Sequence, residues 1–189
     1  MALTSSSMLA LGAVAPDFRL ADTVSGRVLS LAELRSERAT VIMFLCNHCP
    51  YVKHVQSALV RLALDYQPRG VRFIAISSND VRHYPEDAPE RMKVVAQECG
   101  YPFPYLYDET QAVARAYQAA CTPDFYVFDA QLRCAYRGRM DDATPGNGRP
   151  VTGADLRAAL DALLSGAPVN AEQYPSLGCG IKWVRPSAS

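Results

Sequence analysis

The sequence predicts an α/β domain in which a mixed β-sheet lies between helical layers. Strand-length apolar runs alternate with segments of helical period. Two of those runs, residues 40–45 and 71–77, are apolar almost throughout, as strands covered on both faces are. A hairpin pattern followed by an amphipathic helix closes the series and brings antiparallel pairs into the sheet.

Phe18 and Leu20 alternate with polar residues, Ser25–Gly26 marks a turn, and Val28 and Leu29 follow, which reads as a β-hairpin. Ser30 caps a short helical turn reaching Leu34. After the run at 40–45, Val52, Val55, Leu59, Leu62 and Tyr66 are spaced by threes and fours and mark one helix face, which ends at Gln67–Pro68–Arg69–Gly70. After the strand at 71–77, a helical segment over 85–99 turns Met92, Val95 and Cys99 inward. The stretch YPFPYLYD is a short strand whose prolines place it near a sheet edge. Residues 111–120 form an Ala-rich helix. Residues 124–129 and 132–137 pair across Ala130–Gln131, and a loop rich in Gly, Pro, Asp and Asn follows. Thr152 caps a last helix with Leu156, Leu160, Leu163 and Leu164 on its apolar side. The final segment shows no period.

The length, 189 residues, fits one domain. The expected division is a flexible N-terminal arm over 1–13, one domain over 14–169 and a tail over 170–189 packed on it. Nineteen basic residues balance nineteen acidic ones, so the charge gives no nucleic-acid surface, and no apolar run approaches membrane-spanning length. Met8 to Val14 is apolar and Ala13–Val14–Ala15 is weakly like a cleavage site. The first basic side chain is Arg19, however, so the positive n-region of an export signal is missing. A cytoplasmic protein is the expectation, export the weaker alternative, and a monomer or weak homodimer the expected state.

The chemistry lies in FLCNHCPYVK. Of six cysteines only Cys46 and Cys49 are closely spaced, and a single C-x-x-C in a chain with an ample core points to catalysis or metal binding. At a strand-to-helix junction, unpaired N–H groups and the helix dipole are expected to lower the Cys46 pKa. Pro50 suits the first helical turn. Cys46 is then the exposed nucleophile and Cys49 the thiol that resolves its mixed disulfide. His48 and Asn47, between them, are expected to modulate the pair; the bland reading of His48 is a solvated side chain.

These residues resemble the thioredoxin superfamily, and more narrowly the thioredoxin-like AhpC/TSA (redoxin) proteins with an N-terminal hairpin extension. APDFRL, FLCNHCPYVK, CTPDFYVFD, YRGRMDD and YPSLGCGIKW carry the likeness, over about residues 14–183. The resemblance implies a thioredoxin fold, a three-layer α/β/α arrangement about a central mixed sheet. It implies redox, antioxidant-type chemistry that needs no cofactor and no metal. The partners would be protein disulfides or a thiol-based electron donor. It also implies that Pro123 is a cis-proline facing the dithiol, with Thr122 and Pro123 lining the substrate groove.

The departures bear on mechanism. Leu45 stands where thioredoxins carry tryptophan, Asn-His replaces Gly-Pro, and Thr40 replaces a buried aspartate that assists the second thiol. Lys53 offers at most electrostatic help. Cys121, two residues before Pro123, is a candidate extra redox thiol, although a buried hydrophobe is its commoner role. Cys99 and Cys134 read as packing residues, and Cys179 lies in a Gly-flanked tail. Asp141 and Asp142 read as a turn-forming pair near the active side of the sheet.

Two other functions compete. A peroxiredoxin-like thiol peroxidase would use Cys46, but Ala39 and Met43 stand where its proline and threonine belong. A metal-binding or non-catalytic module is the other, and it lacks a second cysteine pair.

Overall fold

The computed structural model describes residues 3–185. Met1 and Ala2 of the arm and residues 186–189 of the tail lie outside the described residues. The central strand, β4 (Ala39–Phe44), is buried at every position. It runs parallel to β5 (Val71–Ser77) and antiparallel to β8 (Asp124–Asp129). Alternation divides its side chains between two layers. Ala39, Val41 and Met43 pack with Val52, Leu59 and Leu62 of α2 (Pro50–Tyr66), with Met92 of α3 (Pro89–Glu98), and with Leu156 and Leu160 of α5 (Ala154–Ser165). Ile42 and Phe44 face the other way, onto Leu31 of α1 (Leu31–Leu34) and Val113, Ala114 and Tyr117 around α4 (Ala112–Ala116). The result is the thioredoxin fold, helices on both faces of one mixed sheet.

The seven-stranded sheet has the order β3-β2-β6-β5-β4-β8-β9. The expected N-terminal hairpin is β2 (Arg19–Asp22) with β3 (Val28–Ser30), and Ser30 caps α1 in a reciprocal box with Glu33. β9 (Cys134–Gly138) pairs with β8 across a turn in which Leu132 has φ +57°.

Four expectations need correction. β6 (Tyr105–Tyr107) is interior, because β2 pairs with its outer side; the prolines at 102 and 104 precede the paired residues and remove no ladder donor. Thr152 does not cap α5: Gly153 holds that position at φ +72°, and the Asp141 carboxylate accepts the Thr152 and Gly153 N–H groups at 2.7 and 2.6 Å. The Ala-rich helix is shorter than expected, since Gln118 adopts φ +54° and breaks it. The N-terminal arm is not loose. β1 (Leu3–Ser5) joins β10 (Leu177–Gly180), which in turn pairs with β7 (Cys121–Thr122), forming a second, three-stranded sheet, β1-β10-β7. Ser6 and Ser176 bond each other through backbone and side chain at 3.0 Å.

Glycine permits that second sheet. A Cβ on Gly178 would stand 2.0 Å from the Thr122 carbonyl oxygen, and one on Gly180 would stand 2.8 Å from Thr4 Oγ1. Among the described residues no helix is long and apolar enough to cross a membrane.

Asp124 opens β8 opposite Phe44 and is fully buried. One carboxylate oxygen accepts the Tyr126 hydroxyl at 2.8 Å, and the other has no hydrogen-bond partner among the described residues. Burial pushes its pKa up to about 7, with the Tyr126 hydroxyl offsetting part of the rise. A folded-state pKa above the ordinary carboxylate value means the native state holds a proton that the unfolded chain has released. Stability contributed by the protonated acid is therefore lost as pH rises from about 4 to about 7.

Two outcomes are expected. The stability difference between the parent and Asp124→Asn, from urea unfolding, should shift against the parent by on the order of 4 kcal/mol from about pH 4 to about pH 7; a difference that stays constant with pH contradicts the buried acid. Gly178→Ala should lower unfolding free energy by about 1–3 kcal/mol through the clash with Thr122, read as a lower urea midpoint at unchanged slope.

Candidate active site

Between β4 and α2 the chain makes one tight excursion. The Leu45 amide still bonds Ile76 O at 2.9 Å, as if the strand continued, and α2 begins at Pro50. Cys46, Asn47 and His48 form the bend, and Cys49 is the N-cap. The bend is shaped by a carboxylate far along the chain. Asp87, with no exposed side-chain surface, accepts the Asn47 amide at 2.7 Å, the His48 amide at 3.4 Å and Asn79 Nδ2 at 2.7 Å, and pairs with His48 Nδ1 at 2.7 Å. Asn47 is further held by Glu86 O at 2.8 Å and by the Tyr105 hydroxyl at 3.1 Å. His48 stacks on Tyr84, with ring centroids 5.6 Å apart. It is a fixed part of the bend and only 14% exposed, not a solvated side chain.

The thiols differ from expectation. Cys46 is 2% exposed and Cys49 is fully buried. The helix start belongs to Cys49, because Pro50 opens the helix immediately after it. The hydrogen bond between the two sulfurs, burial, and the nearby Asp87 carboxylate raise the Cys46 pKa far above the ordinary thiol value; the Thr122 hydroxyl, 3.2 Å from its sulfur, opposes this. Cys49 takes the charge instead. The Cys46 S–H, then the Cys179 S–H and the Val52 and Cys179 amides, hold it down to about 5 against the cost of burial. The contact between the sulfurs thus ties the two shifts together, Cys46 upward and Cys49 downward.

The Thr122–Pro123 peptide is cis and lies against the dithiol. Thr122 meets both thiols, its hydroxyl at Cys46 and its carbonyl oxygen 3.3 Å from Cys49 Sγ. Beside Pro123 a cleft of about 240 Å³ opens between Tyr51, Val55, Phe125, Met140 and Asp142. On the other side, β10 covers Thr122 and sets Cys179 Sγ 2.9 Å from Cys49 Sγ. Cys121 is buried, its pKa is raised by burial, and its sulfur faces the Ser176 and Pro123 carbonyls at 3.9 and 4.0 Å. The third thiol in contact with the pair is thus Cys179, across 130 positions of chain. Its glycine neighbours were the sequence signal for close approach.

The remaining candidates make other contacts. The Thr40 hydroxyl accepts the Ser36 amide at 2.9 Å, and Lys53 is exposed. Asp141 organises the start of α5, and Asp142 pairs with Arg149. Cys99 is half-buried and Cys134 buried. Donor atoms of Cys46, His48 and Asp87 lie within 4.8 Å of one another. That is one ligand short of a closed zinc site, and the Asp87 oxygens are already engaged by N–H groups.

The chain was compared with known proteins. No curated protein matches it. An uncharacterized conserved protein from Geobacillus kaustophilus is 63% identical over 100% of this chain and 99% of that one, with a TM-score of 0.97. A hypothetical protein from Sinorhizobium meliloti 1021 is 47% identical over 97% of this chain and 100% of its own, with a TM-score of 0.94. A putative protein disulfide isomerase from Bacteroides thetaiotaomicron shares the fold at 18% identity, covering 87% of this chain and 95% of its own with a TM-score of 0.65. Residues 11–137 match the AhpC/TSA family, and with the fold and paired thiols just described this chain belongs to that family.

Proposed function

We propose that this protein is a thiol–disulfide oxidoreductase acting on protein disulfides, with Cys46 as the sulfur that meets substrate and Cys49 as the resolving thiol. The observation that carries the reading is the Cys46–Cys49 pair set against the cis Thr122–Pro123 backbone, with the Thr122 hydroxyl 3.2 Å from Cys46 Sγ and its carbonyl oxygen 3.3 Å from Cys49 Sγ. Of the pair, Cys46 is 2% exposed and Cys49 fully buried, and the cleft beside Pro123 offers a peptide a place to lie along the cis-proline.

In the reductive direction Cys46 gives its proton to the Cys49 thiolate and attacks the substrate disulfide. One substrate sulfur leaves as thiolate and the other stays bonded to Cys46. Cys49 then loses that proton to the departing thiolate and attacks Cys46 Sγ, releasing the second substrate sulfur and closing Cys46–Cys49. The dithiol has given up two electrons and the substrate disulfide has become two thiols. A dithiol of another protein restores the enzyme, so the cycle runs on sulfur without an organic cofactor. Asn47 and His48 act by position: clamped on Asp87, they fix the distance between the two cysteines.

Reduction of insulin disulfides by the protein, recycled with dithiothreitol, tests the reading. Cys46→Ser and Cys49→Ser should each lower kcat/KM by about 100-fold or more, and Cys49→Ser should accumulate a mixed disulfide on Cys46. An inactive parent protein, or consumption of hydrogen peroxide far in excess of disulfide reduction, would sink it. Ultraviolet thiolate absorbance of the reduced protein should titrate near pH 5, and that step should vanish in Cys49→Ser. A step that survives in this variant would place the charge elsewhere.

A further inference from the structure

The strand that covers the cis-proline edge has the form of a bound substrate. β10 lies antiparallel to β7, pairing Cys179 with Thr122 and Gly180 with Cys121, so an extended segment lies along the backbone that flanks the dithiol. At its centre, where a substrate would present its sulfur, stands a cysteine. The distance from Cys179 Sγ to Cys49 Sγ, 2.9 Å, is less than 1 Å longer than an S–S bond of about 2.05 Å.

This segment is held in place. β1 pairs with its far side, matching Leu3 with Cys179. The Ile181 amide bonds Ala120 O at 3.0 Å, and the Lys182 amide bonds Asn79 Oδ1 at 2.8 Å. The guanidinium of Arg115 stacks over Trp183, 4.4 Å from the ring centre. Gly178 and Gly180 allow the close approach that any Cβ would block. Cys179 is 4% exposed, so Cys49 is its available sulfur partner among the described residues.

We infer that Cys179 is a third redox-active thiol, which the C-terminal strand presents to Cys49 as an internal substrate, so that the oxidised protein exchanges between a Cys46–Cys49 and a Cys49–Cys179 disulfide. The inference rests on the reading of Cys46–Cys49 as an exchanging dithiol. The step is neutral in electrons. Cys179 attacks Cys49 Sγ, the Cys46–Cys49 bond breaks, the Cys49–Cys179 bond forms, and Cys46 leaves as thiolate and takes the proton that Cys179 gave up. In the reduced protein Cys179 is held up at about 12, by burial first and then by the bond to Cys49 and its negative charge. Forming Cys46–Cys49 removes that charge, so the step that creates the target also makes Cys179 easier to ionise. The product pairs a stored disulfide with a free Cys46, which can open a substrate disulfide to a mixed disulfide; completing a second reduction still takes two electrons from an outside dithiol.

Disulfide mapping of the full chain tests this. The protein is oxidised with diamide, alkylated, digested without reduction and read by mass spectrometry. Cys46→Ser and Cys46→Ala, each checked for native circular dichroism, should form an intramolecular Cys49–Cys179 bond. In the oxidised parent, part of Cys46 should be alkylated; in oxidised Cys179→Ser that alkylation should fall about tenfold or more. Folded Cys46 variants that keep Cys49 and Cys179 both alkylatable, under conditions where the parent closes Cys46–Cys49 fully, overturn the inference and leave the dithiol reading standing. A parent that forms no Cys46–Cys49 bond and reduces no insulin overturns the dithiol reading, whatever Cys49 and Cys179 do.

Discussion

Everything at the dithiol depends on one buried carboxylate. Asp87 has no contact with solvent, and a charge in that position is costly unless hydrogen bonds replace its lost water. Two backbone amides of the bend, the Asn79 side chain and the His48 ring supply them. That requirement fixes the path of the chain between β4 and α2. The bend cannot relax without stranding the carboxylate, so the spacing of Cys46 and Cys49 follows from satisfying Asp87. The same charge adds to the rise in the Cys46 pKa, after the bond to Cys49 and burial.

The second constraint is steric. The edge at Thr122 is occupied by β10, whose glycines let its backbone approach the Thr122 carbonyl more closely than any side chain would permit. A partner peptide must then use the cleft on the other side of Pro123, or displace the strand. The polar atoms around the sulfurs are few: one threonine hydroxyl, one carbonyl, the Val52 and Cys179 amides and the other thiols. A buried thiolate with so few donors is stabilised mainly by neighbouring S–H groups, which ties its charge to their redox state.

Much of this was legible in the sequence. The two-residue and 3.6-residue periods located β4, α2, β5 and the β8–β9 hairpin, because each buries a regular face. The C-x-x-C spacing named Cys46 and Cys49. Pro50 marked the helix start, but that start was assigned to Cys46 where the cap is Cys49; a proline in the first helical position makes the residue before it the cap. What stayed hidden was non-local. Asp87 sits in a short 3-10 turn (Pro85–Asp87) with no apolar period to orient it. Cys179 lies in an aperiodic tail whose register is set by glycine contacts with β7. The interior place of β6 could not be read from its prolines, since they fall outside the paired residues.

The two segments that flank the domain meet over Cys49, with β1 and β10 paired side by side. Cys49 leaves the ribosome 130 residues before Cys179 does. For that whole interval the nascent chain carries its thiols without their cover. The cover over Cys49 is therefore the last part of the site to be completed.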